Sequence, residues 1–309
     1  MAERIPRRYA LGGFTLHAEC ALPMLPRALE DDGLLGRIEV AHGAVPSTIE
    51  GVALVPGVTV SARELLLDVP AIGRLWIRDG RRIIAAAASG GNEADVRPFI
   101  LGSGIGAICH QRGLTPLHGS AVVANARAHV FLGPQGMGKS TMMASLLRAG
   151  FAPLADDLTI VDISPDAGPR AFPGVPRIKL WPDMAEFLGF GGNAASREIS
   201  SATKLQIPFA SAGARAPVEL GGLYLLEDAA ALSVERLSAD LATELLLPQI
   251  YRRMWLLPGR PTLERVVALR RIATAIPVYR LARPRTLDLL PRLVAMVREC
   301  ALRHPDIRH

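Results

Sequence analysis

Eight residues constrain this chain more than any others: Gly133-Pro134-Gln135-Gly136-Met137-Gly138-Lys139-Ser140. They follow a short apolar run, His129-Val130-Phe131-Leu132, and lead into Thr141-Met142-Met143-Ala144-Ser145-Leu146-Leu147-Arg148, whose apolar spacing is helical. Strand, glycine-rich turn and helix form the context in which G-x-x-x-x-G-K-[ST] acts as a phosphate-binding loop. The glycines let backbone N–H groups converge on phosphate oxygens where a side chain would block the approach. The helix start adds partial positive charge, Lys139 a compact ammonium and Ser140 a hydroxyl for Mg2+. Residues Gly133 to Thr141 are therefore expected to hold a nucleoside triphosphate.

At 309 residues the chain can bury ample core, and its length suggests about two domains. Half the residues are apolar and 21% are charged, the balance of a globular protein. The net charge of +6 is carried almost entirely by arginines spread along the chain, with no dense basic run or interleaved aromatic stripe, so nucleic acid is not an expected partner. Lys139, Lys179 and Lys204 are the three lysines. Cys20, Cys109 and Cys300 lie far apart, with neither a disulfide framework nor metal-ligand spacing, which fits a reducing cytoplasm. Met1-Ala2-Glu3-Arg4 opens no apolar signal region, and no apolar run is long enough to span a membrane. A cytoplasmic location without a membrane partner is the expectation.

Residues 1–95 read as short strands separated by turns, including Gly36 to His42, Gly51 to Val60 and Glu64 to Val69. Gly73 to Arg78 and Arg81 to Ala85 flank Asp79-Gly80, a hairpin signal. This is a small β-rich domain for recognition or scaffolding, and its His17 and His42 read as structural. Residues 96–309 begin with a helix over Arg97 to Arg112 that ends at Gly113. One buried strand is expected over Thr115 to Val123, then the turn Asn125-Ala126 and the strand that feeds the loop. Adjacent carboxylates, Asp156-Asp157, precede another strand, Leu158 to Ile163. Phosphoryl transfer needs such a pair, one to hold Mg2+ and one to accept the proton of the attacking hydroxyl, although an acidic turn capping the next strand has the same signature.

Further on, Asp183 is placed as the cap of a helix over Met184 to Leu188. Gly189 to Ala202, rich in Gly, Ser, Ala and Asn, reads as a candidate lid with Lys204 just beyond it. Strands follow at Leu220 to Leu226, Leu232 to Leu237 and Val278 to Leu281. Helices follow at Ala239 to Trp255, interrupted at Pro248, at Leu263 to Ala275 and at Leu287 to Leu302. The alternation predicts an α/β domain with a mostly parallel sheet covered by helices.

Among nucleotide-binding families, Leu223-Tyr224-Leu225-Leu226-Glu227-Asp228 resembles the strand and acidic pair of transporter and AAA ATPases, but no L-S-G-G-Q-like segment accompanies it. No N-K-x-D for guanine is present either. His118-Gly119, Gly133 to Ser140 and Ala155-Asp156-Asp157, in that order and at close spacing, resemble the catalytic domain of HPr kinase/phosphorylase, a bacterial serine kinase. The resemblance covers Leu114 to Val161 well and the rest of the C-terminal half loosely. It implies a P-loop kinase domain of the HPr kinase C-terminal type behind the smaller β-rich N-terminal domain.

On that resemblance, Lys139 holds the β- and γ-phosphates of ATP, and Ser140 with one aspartate, Asp157, holds Mg2+. His118 lies near the γ-phosphate and Asp156 is the general base, the two aspartates being exchangeable. The first hundred residues do not resemble that enzyme's N-terminal domain, and its downstream signature is not found. Leu117 to Val122 and Lys179-Leu180-Trp181-Pro182-Asp183 are instead similar to the divergent HPr kinase-related proteins that include lasso-peptide precursor kinases. That branch implies a serine of a peptide or protein as acceptor, with Arg177, Lys179 or Lys204 holding phosphate or the peptide carboxylate. Family members assemble into oligomers, so a homo-oligomer is a further implication. A small-molecule hydroxyl kinase and a nucleotide-binding ATPase or regulatory module are the alternatives.

Overall fold

The computed structural model describes residues 6–31, 33–164, 168–190, 196–197, 203–209, 216–256 and 260–302. It is a mixed α/β structure with three sheets. Eight short strands come first: β1 (Arg7–Leu11), β2 (Phe14–Ala18), β3 (Arg37–His42), β4 (Val52–Val55), β5 (Val58–Val60), β6 (Glu64–Val69), β7 (Gly73–Arg78) and β8 (Arg82–Ala87). They form one sheet in the order β1-β2-β3-β8-β7-β6-β5-β4. Asp79 and Gly80 both take positive φ, 57° and 61°, in the turn between β7 and β8, as their sequence suggested. Strand alternation sorts the faces: Leu75 and Ile77 of β7 are buried, while Trp76 between them points the other way and is half-buried.

Helix α1 (Glu93–Phe99), a π-helical turn at Ile100–Gly104 and α2 (Ile105–Gln111) follow. The helical segment starts earlier than Arg97 because Asn92 caps it, its side chain accepting from the Ala94 N–H at 2.9 Å. Val96, Ile100, Leu101, Ile105 and Ile108 pack into one apolar cluster with Leu16, Ile38, Leu75, Ile77 and Ile83 of the sheet. Ile160, Phe172, Val175 and Trp255 from the C-terminal half join that cluster. The two halves thus share buried side chains.

The expected strand over Thr115 to Val123 is two strands, β9 (Thr115–Leu117) and β10 (Gly119–Ala124), broken at His118. The His118 N–H donates to the Gln249 carbonyl at 2.8 Å instead of to a sheet neighbour. β11 (Arg127–Leu132) pairs antiparallel with β10 through Asn125-Ala126, both at positive φ. Helix α3 (Lys139–Arg148), β12 (Ala152–Ala155), β13 (Thr159–Ser164) and β14 (Gly168–Ala171) come next.

A small third sheet contains β15 (Arg177–Leu180), β16 (Ser196–Arg197) and β17 (Leu205–Pro208) in the order β15-β17-β16, with helix α4 (Pro182–Phe187) after β15. Helix α4 begins earlier than expected: Trp181 is its N-cap residue and Pro182 opens it, so Asp183 lies inside the first turn and is not the cap. Of the candidate lid, 191–195 and 198–202 lie outside the described residues.

The chain closes with β18 (Val218–Asp228), β19 (Ser233–Arg236), α5 (Ala239–Leu246), α6 (Arg260–Ala275), β20 (Val278–Arg283) and α7 (Leu290–Leu302). Pro248 does end α5, which passes into a 3-10 turn at Leu247–Gln249.

The central sheet runs β12-β10-β11-β18-β14-β13-β9, and β20 pairs with β18 and β19. Among the described residues of this sheet, only β11 with β18 and β18 with β20 are parallel, which corrects the expectation of a mostly parallel sheet. The short links β10–β11 and β13–β14 leave no room for a crossover helix and force hairpins. Helices cover both faces of the sheet. Val130, Leu223 and Leu225 pack toward Leu246, Leu269 and Ile272 of α5 and α6, and Phe131, Tyr224 and Leu226 toward Met143, Leu146 and Val297 of α3 and α7. Each such fully buried side chain is worth roughly 1.5–3 kcal/mol, so the strand and helix flanking the loop are firmly anchored.

Candidate functional site

The glycine-rich segment leaves the C-terminal end of β11 and enters α3. Gly138 is the N-cap residue of α3, at φ +76°, and Gly136 is at φ +84°, a backbone region that side chains disfavour. The Met137 N–H donates to the Pro134 carbonyl, closing the turn. Among the described residues, the Gly136 and Gly138 N–H groups have no acceptor. Pro134, Gln135 and Gly136 are exposed, while Met137 and Lys139 are buried. The Lys139 Nζ turns back on the loop and donates to the carbonyls of Gly133 at 2.7 Å and Pro134 at 3.0 Å. Burial lowers its pKa, and with Lys204 nearby the value falls to about 8 despite the charges of Asp157 and Asp156. Thr141, in the first turn of α3, accepts from the Ser145 hydroxyl with its carbonyl.

Asp156 and Asp157 follow β12, and their side chains diverge. Asp156 is buried where three elements meet. Its Oδ1 accepts from Ser120 Oγ of β10 at 2.7 Å and Ser140 Oγ of α3 at 3.0 Å, and its Oδ2 accepts from the Lys179 N–H of β15 at 2.8 Å. Burial raises the pKa of Asp156, and the neighbouring Asp157 charge adds to that, against the three hydrogen bonds. Asp157 adopts φ +74°, which swings its side chain the other way. Its Oδ2 accepts from Lys179 Nζ at 2.9 Å, and Oδ1 lies 3.5 Å from His118 Nδ1. Burial acts to raise the Asp157 pKa, but the Lys179 charge and hydrogen bond, with His118 and Arg177, bring it to about 2.

His118 occupies the break between β9 and β10. Its Nδ1 donates to the Asp157 carbonyl at 3.0 Å, which leaves Nε2 as the lone-pair nitrogen of a neutral ring. Burial first, then the Lys139 charge, lower its pKa. The Tyr251 ring lies 5.9 Å from the His118 ring.

The structure therefore brings His118, Lys139, Ser140, Asp156 and Asp157 together, with the serine hydroxyl against Asp156 rather than Asp157. Of the three other basic candidates, Lys179 is held by Asp157, Arg177 is buried and donates to Gln206 Oε1, and Lys204 sits 5.6 Å over the exposed Trp181 ring. Glu227 and Asp228, the rival acidic pair, are engaged by Arg280 at 3.1 Å and Arg285 at 2.6 Å. Sequence reasoning missed Ser120, although its segment had been singled out. It also missed Arg283, whose Nη2 donates to the Met137 carbonyl. The only signal for Arg283 was its place two residues beyond the strand expected over Val278 to Leu281, near the edge where α/β sheets bind ligands.

For Mg2+, the donor set fits: Ser140 Oγ and Asp156 Oδ1 are two hard oxygens 3.0 Å apart at a helix start. Mg2+ commonly takes one or two protein oxygens and fills its shell with water and substrate phosphates. Among the described residues no preformed group of three or more His, Cys, Asp or Glu side chains stands ready for a metal, and no helix is long and apolar enough to cross a membrane. A cavity of about 470 Å³ lies elsewhere, between the β1–β2 hairpin and Pro153, Pro173, Pro176 and Phe209.

No family model and no curated protein matches this chain. Among solved structures it is similar to the HPr(Ser) kinase/phosphatase from Coxiella burnetii, at a TM-score of 0.30 and 12% identity, over 60% of this chain and 90% of that one.

Proposed function

We propose that this chain is a Mg2+- and ATP-dependent kinase that transfers the γ-phosphoryl group to a hydroxyl, with a serine of a peptide or protein as acceptor. The observation that carries the reading is the contact of Ser140 with Asp156 at the start of α3, beside a second carboxylate, Asp157, that faces away from it. The serine acceptor rests on the motif resemblance of His118-Gly119, Gly133 to Ser140 and Ala155 to Asp157. Lys139 exchanges its two loop carbonyls for phosphate oxygens, and the unpartnered N–H groups of Gly136 and Gly138 receive others.

Ser140 and Asp156 would hold Mg2+, which neutralises charge on the phosphates of a bound triphosphate. This exchanges the aspartate roles expected from sequence, because Asp156 touches Ser140 and Asp157 does not. Asp157 then orients the acceptor hydroxyl. The serine oxygen bonds to the γ-phosphorus, the bond to the bridging oxygen breaks, ADP departs with that electron pair, and the hydroxyl proton passes to an Asp157 oxygen. A carboxylate with a pKa of about 2 is a weak base, which suits a loose transition state where that proton moves late. Lys179 stays beside Asp157 to hold it in place, and the neutral His118 steadies the Asp157 backbone through its Nδ1–H on the carbonyl.

The test supplies γ-labelled ATP and Mg2+ to the purified chain with an extract of its source, using Lys139→Ala as control. Label in a serine of a peptide or protein supports the proposal and identifies the acceptor. Label in a metabolite moves the acceptor to a small molecule. Label released only as inorganic phosphate, or unused, overturns the kinase reading.

A further inference from the structure

Arg283 is the last residue of β20, and no sequence motif drew attention to it. Because β11, β18 and β20 run parallel, their C-terminal ends lie along one edge, and Arg283 emerges beside the loop that leaves β11. Its Nη2 donates to the Met137 carbonyl, and Nη1 lies 3.5 Å from the Pro284 carbonyl. A Cβ placed on Gly138 would meet Nη2 at 2.8 Å, so the guanidinium is packed directly against the loop backbone.

This cation is partly buried, and among the described residues no carboxylate pairs with it. Asp228, the acid whose charge acts on it, is hydrogen-bonded to Arg285. Its buried Nε has no hydrogen-bond partner. A cation in that position is incompletely compensated, and an anion bound in the loop would complete it.

The Met137 carbonyl and the Gly138 N–H belong to one planar peptide. Fixing the direction of the oxygen therefore fixes the direction of the N–H. A cation donating to that oxygen also draws electron density from the peptide, which makes the N–H a stronger donor. The Gly138 N–H is one of the groups left without an acceptor at the start of α3.

We propose that Arg283 is a positioning residue for phosphate binding: it locks and polarises the 137–138 peptide so that the Gly138 N–H receives a phosphate oxygen, and its charge completes the electrostatics of the occupied loop. The inference rests on the nucleotide-binding reading given above. It requires that Arg283 act on nucleotides carrying a β-phosphate and leave the nucleoside part alone.

The experiment measures calorimetric binding of ATP, ADP and adenosine, with Mg2+, to the wild type, Arg283→Lys and Arg283→Gln, with thermal unfolding in the absence of ligand as the check on folding. Wild type that binds no nucleotide overturns the nucleotide reading itself, independently of Arg283. If the wild type binds, Arg283→Gln should lose about tenfold or more in affinity for ATP and for ADP with adenosine unchanged, and Arg283→Lys should recover most of the loss. The affinity of Arg283→Gln should also depend less steeply on salt than that of the wild type. Arg283→Gln binding ATP within about twofold of wild type overturns the proposal, as does an equal loss for adenosine. If Arg283→Gln does not fold, Arg283→Lys decides: it keeps wild-type-like ATP affinity if charge is what matters and loses it if only the guanidinium fit does, the second result overturning the proposal.

Discussion

Replacing Lys179 with Met removes the ammonium from Asp157 while keeping the apolar stem. In the native protein Lys179 Nζ lies 2.9 Å from Asp157 Oδ2, its side chain 17% exposed and that of Asp157 32% exposed. The Asp157 pKa of about 2 lies below its ordinary 3.8. A carboxylate with a depressed folded pKa contributes stability above its unfolded pKa and loses it as pH falls through the folded value. A shift of that size corresponds to about 2 kcal/mol, and the partial solvent exposure of Asp157 reduces it to about 1 kcal/mol. Without Lys179, burial is the leading influence and pushes the pKa upward. Urea denaturation at a series of pH values should therefore show Lys179→Met about 1–2 kcal/mol less stable at pH 7, with the gap closing between pH 4 and pH 2. A gap of unchanged size at pH 2 would mean that stem packing, not charge, is what Lys179 supplies. No gap at pH 7 would refute the ion-pair reasoning outright.

Two more expectations concern the loop. Gly138→Ala forces a Cβ to within 2.8 Å of Arg283 Nη2 at φ +76°, so it should cost about 1–2 kcal/mol of stability and weaken ATP binding, as read by thermal unfolding and calorimetry. Lys139, with its pKa near 8, loses its positive charge at higher pH; on the proposed phosphate-binding role, ATP affinity should be flat below pH 8 and fall by up to about tenfold per unit above it, while Lys139→Arg should stay flat across the same titration.

The loop was legible in the sequence because strand, turn and helix lie within about twenty consecutive residues, so local pattern and local structure coincide. The adjacent aspartates were legible for the same reason, but the divergence of their side chains was not. It depends on Asp157 adopting φ +74°, which no motif in the pair signals, and on Lys179 arriving from β15, which is not local to the pair. The break at His118 was hidden because the residues on both sides are buried, so no change of period marks it. What interrupts the strand is the Gln249 carbonyl, far along the chain. Sheet polarity likewise depends on which strands become neighbours, and the hairpins of β10–β11 and β13–β14 outvoted the helical alternation that suggested parallel strands. Arg283 lies 146 residues from Met137, and only the fold brings it to the loop.

The contact between Ser140 and Asp156 makes the central claim, that these two residues hold Mg2+ beside a phosphate-binding loop. Its most direct test is calorimetric titration of ATP, with and without Mg2+, into the wild type, Asp156→Asn and Asp157→Asn. Mg2+ should tighten ATP binding to the wild type and to Asp157→Asn, and should make no difference to Asp156→Asn. The account is contradicted if Asp157→Asn loses the Mg2+ dependence while Asp156→Asn keeps it, or if the wild type binds no ATP at all.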